Sequence, residues 1–274
     1  MIDINKTLIF LDTETTGIIK DDKNQIISNW DLIQLAYRKL ENGKIFDENI
    51  FINTDVKMEI WAMATHGIYP SLLEKKSEWK YIEDIEIDSD IFSNNILIAH
   101  NAIFDIDVLT KANINCNEDV IDTLKVVKIL LSEWVLEEIK WENPEYVNMQ
   151  YLRYYFELFE ILDDQWNPEI TTAHDAFGDV VVLKKVFEEL FKIIKQKLNI
   201  TSDEIIELML KMSKKEYLLI KSMAFWKYRG KTFEDVAKID PKYLDWIIDA
   251  DFTDDIKYTC SVWLWEREDE KFFS

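Results

Sequence analysis

One stretch near the N-terminus decides the fold: Leu8-Ile9-Phe10-Leu11-Asp12-Thr13-Glu14-Thr15-Thr16-Gly17. A short apolar run without Gly or Pro, such as its first four residues, predicts a fully buried central strand. Asp12 and Glu14 end this run, and residues two apart on a strand project from the same face. Two neighbouring carboxylates repel each other and are costly to desolvate unless positive charge lies between them. A divalent cation, Mg²⁺ or Mn²⁺, suits the pair because such hard ions prefer carboxylate oxygens.

The composition sets limits on this interpretation. The chain has 274 residues, is 48% hydrophobic and carries a formal charge of -21, with 53 acidic side chains. In so acidic a chain, Asp12 and Glu14 taken alone are also compatible with an acidic pair that merely ends a strand at the surface. The charge argues against a general coat protein for nucleic acid, since phosphate binding depends on Lys and Arg. It does not exclude an enzyme with bound metal ions and a local basic patch.

Cysteine use and hydropathy bear on the cellular setting. The two cysteines, Cys116 and Cys260, lie far apart in the sequence and indicate neither a disulfide framework nor a cysteine zinc site. This favours a reducing, intracellular environment. No apolar run approaches the length of a membrane span. We therefore expect a soluble, cytoplasmic protein without a membrane partner.

Two further strands follow the first. Ile33, Leu35 and Tyr37 alternate with less apolar neighbours, which is typical of a half-buried strand. Asn42-Gly43 predicts a tight hairpin, with the returning strand over Ile45 to Ile52. The sequence thus predicts that the first three strands form an antiparallel meander.

A second acidic position follows a second buried strand. Ile96 to Ala99 is apolar and leads into His100-Asn101-Ala102-Ile103-Phe104-Asp105. Asn101 is a predicted helix N-cap, which places Asp105 early in the next helix. Ligands of open α/β sheets bind at strand ends, so Asp105 is a candidate ligand beside the first two acids. An ordinary first-turn acid, favoured by the helix dipole, is the alternative.

His174 and Asp179 form the third candidate position. Apolar residues recur at helical spacing downstream and predict one long amphipathic helix. They are Leu183, Val186, Phe187, Leu190, Phe191 and Ile194. His174 falls just before this helix and Asp179 in its first turns. A histidine exchanges a proton near neutral pH while a carboxylate holds a metal, although a lone His at this place is more commonly a capping or surface residue.

The composition shifts around Asn199, where Thr201-Ser202-Asp203-Glu204 predicts a new helix through a capping pattern. We place a boundary there, between a domain over residues 1–198 and a small, mainly helical module over residues 199–274. The module contains Lys227-Tyr228-Arg229-Gly230-Lys231, a basic segment interleaved with aromatic residues. Such a segment suits a single-stranded nucleic acid, with phosphate neutralisation beside base stacking.

The three acidic positions, in order, resemble the DEDDh branch of the DnaQ-like 3′-to-5′ exonuclease family. The matching motifs are Asp12-x-Glu14, His-Asn-Ala-x-Phe-Asp ending at Asp105, and His174-x-Ala-x-x-Asp179. The resemblance covers about residues 5 to 195. It includes Thr13, Thr15, Thr16 and Gly17 of the first motif, His66-Gly67-Ile68, and Asp122-Thr123. It implies an α/β, ribonuclease H-like fold, in which a mixed sheet is flanked by helices.

The resemblance also implies roles for individual residues. Two divalent cations, Mg²⁺ or Mn²⁺, would be held with Asp12 between them, Glu14 and Asp179 on the nucleophile side and Asp105 on the leaving-group side. His174 would be the general base for the attacking water. Substrate contacts are expected at Thr13, Thr15, Thr16, His66, Asn101 and Phe104, with core packing as the alternative for Phe104. The product would be a nucleoside 5′-monophosphate released from a 3′ end.

The C-terminal segment is similar to the C-terminal module of the exodeoxyribonuclease X type. The similarity lies in Phe225-Trp226-Lys227-Tyr228-Arg229-Gly230-Lys231 and in Tyr243-Leu244-x-Trp246, with Trp226 in place of a glycine. It favours DNA, single-stranded or 3′-ended, as the substrate, in contact with Lys227, Arg229 and Lys231. The alternatives are an RNA exonuclease of the ribonuclease T or oligoribonuclease kind and a non-catalytic nucleic-acid-binding protein on the same fold. A homodimer or a polymerase partner is also left open.

Overall fold

The structure, a computed structural model, divides into two compact units. The first comprises residues 1–126 and 144–213, and the second residues 127–143 and 214–274. The residues it describes are 7–18, 29–132, 136, 140, 144, 146–158, 176–214, 222–223 and 226–272. The second unit therefore takes residues 127–143 together with the chain after Ser213, and the domain boundary predicted after residue 198 stays a prediction.

The first unit is built on a five-stranded sheet with the strand order β3-β2-β1-β4-β5. The strands are β1 Leu8–Thr15, β2 Leu32–Glu41, β3 Lys44–Phe51, β4 Ile96–Ala99 and β5 Val120–Asp122. The first three strands pair antiparallel, and β4 and β5 run parallel to β1. This mixed sheet confirms the predicted fold class, with the apolar stretch of β1 at its centre.

The hairpin between β2 and β3 forms where the sequence predicts it. Asn42 and Gly43 both have positive φ values, 50° and 74°. A two-residue turn with positive φ at both positions matches the right-handed twist of the flanking strands, and Asn-Gly adopts it at low cost. The antiparallel meander is therefore confirmed, with Glu41 paired to Lys44 at its tip.

Helices cover both faces of the sheet. In chain order they are α1 Ile60–His66, α2 Pro70–Lys76, α3 Asp90–Ser93, α4 Ala102–Lys111, α5 Thr123–Ser132, α6 Met149–Tyr155, α7 Ala176–Leu198 and α8 Ser202–Ser213. The predicted long amphipathic helix is α7. The predicted cap of α8 is present, because Thr201 N donates to Glu204 Oε2 at 2.8 Å and Glu204 N to Thr201 Oγ1 at 3.3 Å.

Alternate residues of β1 pack against different helices. Phe10 contacts Phe187 of α7 edge to face, with 5.3 Å between ring centroids. Ile9 and Leu11 belong instead to a core cluster with Val108 of α4. Since side chains alternate along a strand, α7 covers the even-numbered face of β1 and α4 the odd-numbered face. This division decides where each polar residue at the end of β1 points.

The second unit is mainly helical, as predicted for the C-terminal module. Its helices are α9 Phe233–Ile239, α10 Pro241–Asp249 and α11 Asp254–Phe272, preceded by a 3-10 turn at Trp226–Tyr228. Its core contains Met223, Phe233, Leu244 and Cys260. Within the part of the chain that the structure describes, no helix combines the length and the apolar character that crossing a bilayer requires.

A partly buried ion pair joins β2 to β3. Arg38 is 1% exposed, and its Nε and Nη2 donate to the two Asp47 carboxylate oxygens, each at 2.7 Å. Its guanidinium also lies 5.8 Å from the centre of the Phe177 ring of α7. This geometry fixes the sheet beneath the helix that carries Asp179.

We predict that Asp47→Ala destabilises the protein by about 2 kcal/mol, because it removes two hydrogen bonds from the buried, charged guanidinium of Arg38. Urea unfolding followed by circular dichroism measures the change. The matched control is Glu78→Ala, since the Glu78–Lys80 pair at 3.3 Å is exposed and should contribute less than about 1 kcal/mol. Equal losses in the two variants would contradict a structural role for Arg38–Asp47.

Candidate active site

Three carboxylates meet at the end of β1. Asp12 and Glu14 project from the face that α7 covers, and Asp179 lies in the first turn of α7. Each of the three offers an oxygen, and these oxygens lie within 4.8 Å of one another. Oxygens that share a Mg²⁺ at about 2.1 Å each are separated by at most about 4 Å, so small side-chain movements suffice to bind one. The donor set fits a hard divalent cation.

Two glutamines hold the Asp179 side of this cluster. Gln150 of α6 donates to Asp179 Oδ1 at 2.7 Å. Gln34, fully buried on β2, accepts a hydrogen bond from Ala176 N at 3.4 Å and donates to Asn49 Oδ1 at 2.8 Å. The first orients the carboxylate, and the second anchors the start of α7 to the sheet. Neither residue is predictable from the sequence, because a single glutamine in a helix or strand carries no recognisable pattern.

Asp105 lies in the first turn of α4. Its carboxylate is 3% exposed and accepts a hydrogen bond from Thr13 Oγ1 at 2.8 Å. Burial raises the pKa of Asp105 to about 7, the hydrogen bond from Thr13 opposes the shift, and the charge of Asp122 adds to it. The structure therefore brings together three of the four predicted acids and holds the fourth on Thr13.

The loop before α4 is held by Asp122. Asn101 has a φ of 69°, and its backbone N donates to Asp122 Oδ1 at 3.0 Å. The same oxygen accepts from Leu124 N at 2.9 Å. Asn101 occupies the predicted N-cap position, but its side chain makes no capping hydrogen bond within the described residues, because the left-handed backbone turns it away. Asn101 is exposed and Phe104 is 36% exposed, so both are accessible to a ligand.

The threonines of the first motif are buried, and their hydroxyl groups bond within the protein. Thr15 Oγ1 accepts from Gly17 N at 3.3 Å, and Thr16 Oγ1 accepts from Asp31 N at 2.9 Å. Gly17 has a φ of 112°, and a Cβ there would lie 2.9 Å from Glu59 Cβ, so only glycine fits. The predicted substrate contacts of Thr13, Thr15 and Thr16 stay predictions.

Of the two histidines that the sequence predicts for the site, the structure describes one. His66 is buried at the end of α1, where its Nδ1 accepts a hydrogen bond from Ile68 N at 3.0 Å. Gly67 continues the chain with a φ of 71°. The predicted substrate contact of His66 stays a prediction. His174 lies outside the described residues.

The predicted basic contacts lie on one turn of the second unit. Lys227 forms an ion pair with Asp240 at 3.0 Å, and hydrogen bonds with Tyr228 and Asp240 raise the pKa of Lys227. Arg229 and Lys231 are exposed on the same turn. These three stay predicted nucleic-acid contacts.

Two family models match the chain. The model described as Exonuclease matches residues 9–187, and the model described as Exodeoxyribonuclease X-like C-terminal matches residues 224–251. The first match includes all five predicted catalytic positions. The second includes the turn with Trp226 and the helices α9 and α10.

Several known proteins are similar to parts of this chain. The DNA polymerase III PolC-type of Mycoplasmopsis pulmonis (strain UAB CTIP) is 29% identical over 190 residues, which are 67% of this chain and 11% of that protein. The 3'-5' exonuclease DinG of Staphylococcus aureus (strain MRSA252) is 29% identical over 129 residues, 45% of this chain and 13% of that protein. The chain thus spans a small part of the length of these relatives.

Solved structures are also similar. Exonuclease X in complex with 5' overhanging duplex DNA has a TM-score of 0.47 and 19% identity over 74% of this chain and 99% of that one. A 3'-exonuclease in a structure of 3'-end specific recognition of histone mRNA stem-loop has a TM-score of 0.46 and 8% identity, covering 69% of this chain and 64% of that one.

We predict that Asp105→Asn stabilises the metal-free protein at neutral pH by up to about 4 kcal/mol, because each unit of raised pKa corresponds to about 1.4 kcal/mol. Between pH 3.8, the ordinary pKa of an aspartate, and about pH 7, the unfolded chain has lost the Asp105 proton that the folded protein keeps. Wild-type stability from this group therefore falls across that range and levels off above it.

Thermal unfolding from pH 4 to 8 in EDTA measures this difference. The Asp105→Asn curve should rise above the wild-type curve as the pH increases. Asp107→Asn is the control, because Asp107 is exposed on the same helix and its loss should leave the wild-type profile intact. If the stability of the wild type and of Asp105→Asn changes with pH in the same way, burial of the Asp105 carboxyl does not destabilise the folded protein as predicted.

Proposed function

Because the chain belongs to the exonuclease family, whose model matches residues 9–187, we propose that it hydrolyses the phosphodiester bonds of DNA from the 3′ end. Membership confirms the resemblance drawn from the three sequence motifs, and the match over residues 224–251 confirms the similarity of the C-terminal segment. The proposed products are nucleoside 5′-monophosphates.

The observation that carries the proposal is the cluster of Asp12, Glu14 and Asp179, with oxygens within 4.8 Å of one another. We propose that these residues hold divalent cations, Mg²⁺ or Mn²⁺, and that Asp105 contributes to a second cation. When bound, two such cations activate the attacking water, neutralise the phosphate and stabilise the leaving oxygen. The three carboxylates provide the negative charge that such cations require, and they lie at the end of the buried strand β1.

The other residues orient these groups or move a proton. Gln150 fixes one oxygen of Asp179, and Thr13 fixes one oxygen of Asp105. Burial raises the pKa of Asp105 to about 7, so the Asp105 carboxyl must lose its proton before it can bind a cation. We assign His174, which precedes Ala176 at the start of α7 by two positions in the sequence, the role of general base toward the attacking water.

DNA is preferred over RNA on the strength of the C-terminal match, which bears the description Exodeoxyribonuclease X-like. In this proposal residues 1–198 carry out hydrolysis and residues 199–274 assist in binding a single-stranded or 3′-ended substrate. Asn101, Phe104, His66 and the threonines of the first motif would contact the terminal nucleotide. The proposal also includes a cytoplasmic location, and it allows a homodimer or a polymerase partner.

We predict that Asp12→Ala removes cleavage while the fold survives, because the loss of one crowded carboxylate relieves repulsion in the metal-free protein. The assay follows 5′-labelled single-stranded DNA and matched RNA with Mg²⁺ or Mn²⁺, with folding checked by circular dichroism. Asp107→Ala, which removes an exposed acid from α4, is the control and should cleave at the wild-type rate.

The assay also separates the alternatives. A ladder that shortens from the 3′ end, given by the wild type alone, supports the proposal. A faster rate on RNA would favour an RNA exonuclease. Binding without cleavage of either substrate would favour a non-catalytic binding protein, and wild-type cleavage by folded Asp12→Ala would refute the site.

We predict that His174→Ala lowers the rate at saturating substrate by about 10²- to 10⁴-fold, which is the usual contribution of a positioned general base. Its effect on substrate affinity should be much smaller, since a base acts on the water and not on the bound strand. Single-turnover rates and equilibrium binding in EDTA measure the two effects separately. An unchanged rate at saturation would remove His174 from the mechanism.

A further inference from the structure

The structure distinguishes among the basic and aromatic residues of the C-terminal segment. Tyr228 is 8% exposed, and its hydroxyl donates to Asp240 Oδ2 at 2.9 Å. Lys227 pairs with the same carboxylate at 3.0 Å. Tyr228 therefore packs in the core of the second unit and offers no free ring face, and the charge of Lys227 is shared with an acid of its own unit.

Two tryptophans of the same unit remain on the surface. Trp226 is 65% exposed and Trp246 of α10 is 44% exposed. Their ring centroids are 5.3 Å apart, with 32° between the ring planes. Phe252 supports both rings from one side, at 5.7 Å from Trp226 and 5.9 Å from Trp246. The result is a supported aromatic surface that faces solvent.

The backbone at Trp226 is strained. Its φ of 53° lies in the left-handed region, which bulky residues seldom adopt. The turn is fixed on both sides of this position, since Met223 N donates to Lys231 O at 2.8 Å and Gly230 N to Met223 O at 2.7 Å. A strained residue persists only where its surroundings determine its conformation, and such residues concentrate at binding sites. Here the strain places an indole ring on the surface.

Cationic side chains flank this aromatic surface. Arg229 and Lys231 are exposed on the turn that begins at Trp226, and Arg229 N donates to Trp226 O at 3.2 Å. Exposed ring faces beside cations are what a single-stranded nucleic acid requires, because its bases stack on aromatic rings and its phosphates seek positive charge. Asp245 and Asp249 are exposed on α10, and their charges repel phosphates, so Arg229 and Lys231 are the favoured phosphate contacts.

We propose that Trp226 and Trp246 form a base-stacking platform for single-stranded nucleic acid, with Arg229 and Lys231 as its phosphate contacts. The identity of the ligand rests on the proposed nuclease function, which supplies nucleic acid as the substrate. The platform binds strands with little dependence on sequence, since every base has a face that can stack.

The test compares two tryptophan variants of the full chain. Trp226→Gly removes the ring and relieves the backbone strain, so the turn is retained. Trp79→Gly is the matched control, because Trp79 is also an exposed tryptophan, at 64%, with a positive φ of 63°, but belongs to the first unit. Fluorescence anisotropy in EDTA measures the affinity for a labelled single-stranded oligonucleotide without cleavage.

We expect Trp226→Gly to weaken binding by about tenfold, in line with the loss of one stacked base, and Trp79→Gly to bind as the wild type does. A Trp246→Leu variant should show a loss similar to that of Trp226→Gly. The double variant Arg229→Gln/Lys231→Gln should reduce the slope of log affinity against log salt by about 1.4, which corresponds to two phosphate contacts on a single strand.

Cleavage of a long oligonucleotide supplies the second readout. Trp226→Gly should raise KM and leave kcat unchanged, because the platform contributes to binding alone. If Trp226→Gly binds with wild-type affinity, or if Trp226→Gly and Trp79→Gly lose affinity equally, the platform is refuted whatever the cleavage result. The exposed tryptophan pair would then be assigned to a protein partner. A wild type that binds through Trp226 but cleaves nothing would refute the proposed function and leave the platform in place.

Discussion

The crowding of negative charge at the end of β1 is the constraint on which the rest of the first unit depends. Asp12 and Glu14 share one face of the strand, and Asp179 brings a third carboxylate within 4.8 Å. Their repulsion would separate them on flexible loops. β1 is paired on both sides, with β2 and β4, and Phe10 packs against Phe187 beneath the acids. Apolar packing therefore holds together charges that a bound divalent cation would neutralise.

Two of the side chains that hold these acids are neutral: Gln150 reaches Asp179, and Thr13 reaches Asp105. A lysine or arginine in either place would neutralise the carboxylate and compete with a metal ion for its oxygens. An amide or a hydroxyl donates one hydrogen bond, fixes the rotamer and leaves most of the negative charge available. This choice of donors agrees with a site that binds cations, and the partly buried ion pair of Arg38 with Asp47 lies on the neighbouring strands.

Local signals made much of the fold predictable from the sequence. The apolar run of β1, the Asn42-Gly43 turn and the Thr201–Glu204 cap each depend on residues within a few positions of one another. The hydrogen bond of Thr13 to Asp105 was not predictable, because it depends on how α4 packs against β1. Trp246 joins Trp226 only through packing in the second unit, and Gln150 meets Asp179 only through the placement of α6.

The formal charge of -21 is compatible with binding a polyanion when the attraction is local. At physiological salt the Debye length is about 8 Å, so acids elsewhere on the surface act weakly on a bound strand. Stacking of bases on indole rings requires no net positive charge, unlike a broad basic surface. In the proposed function, bound cations in one place and exposed tryptophans in another would supply local affinity for a strand, while the acidic surface gives no general attraction to nucleic acid.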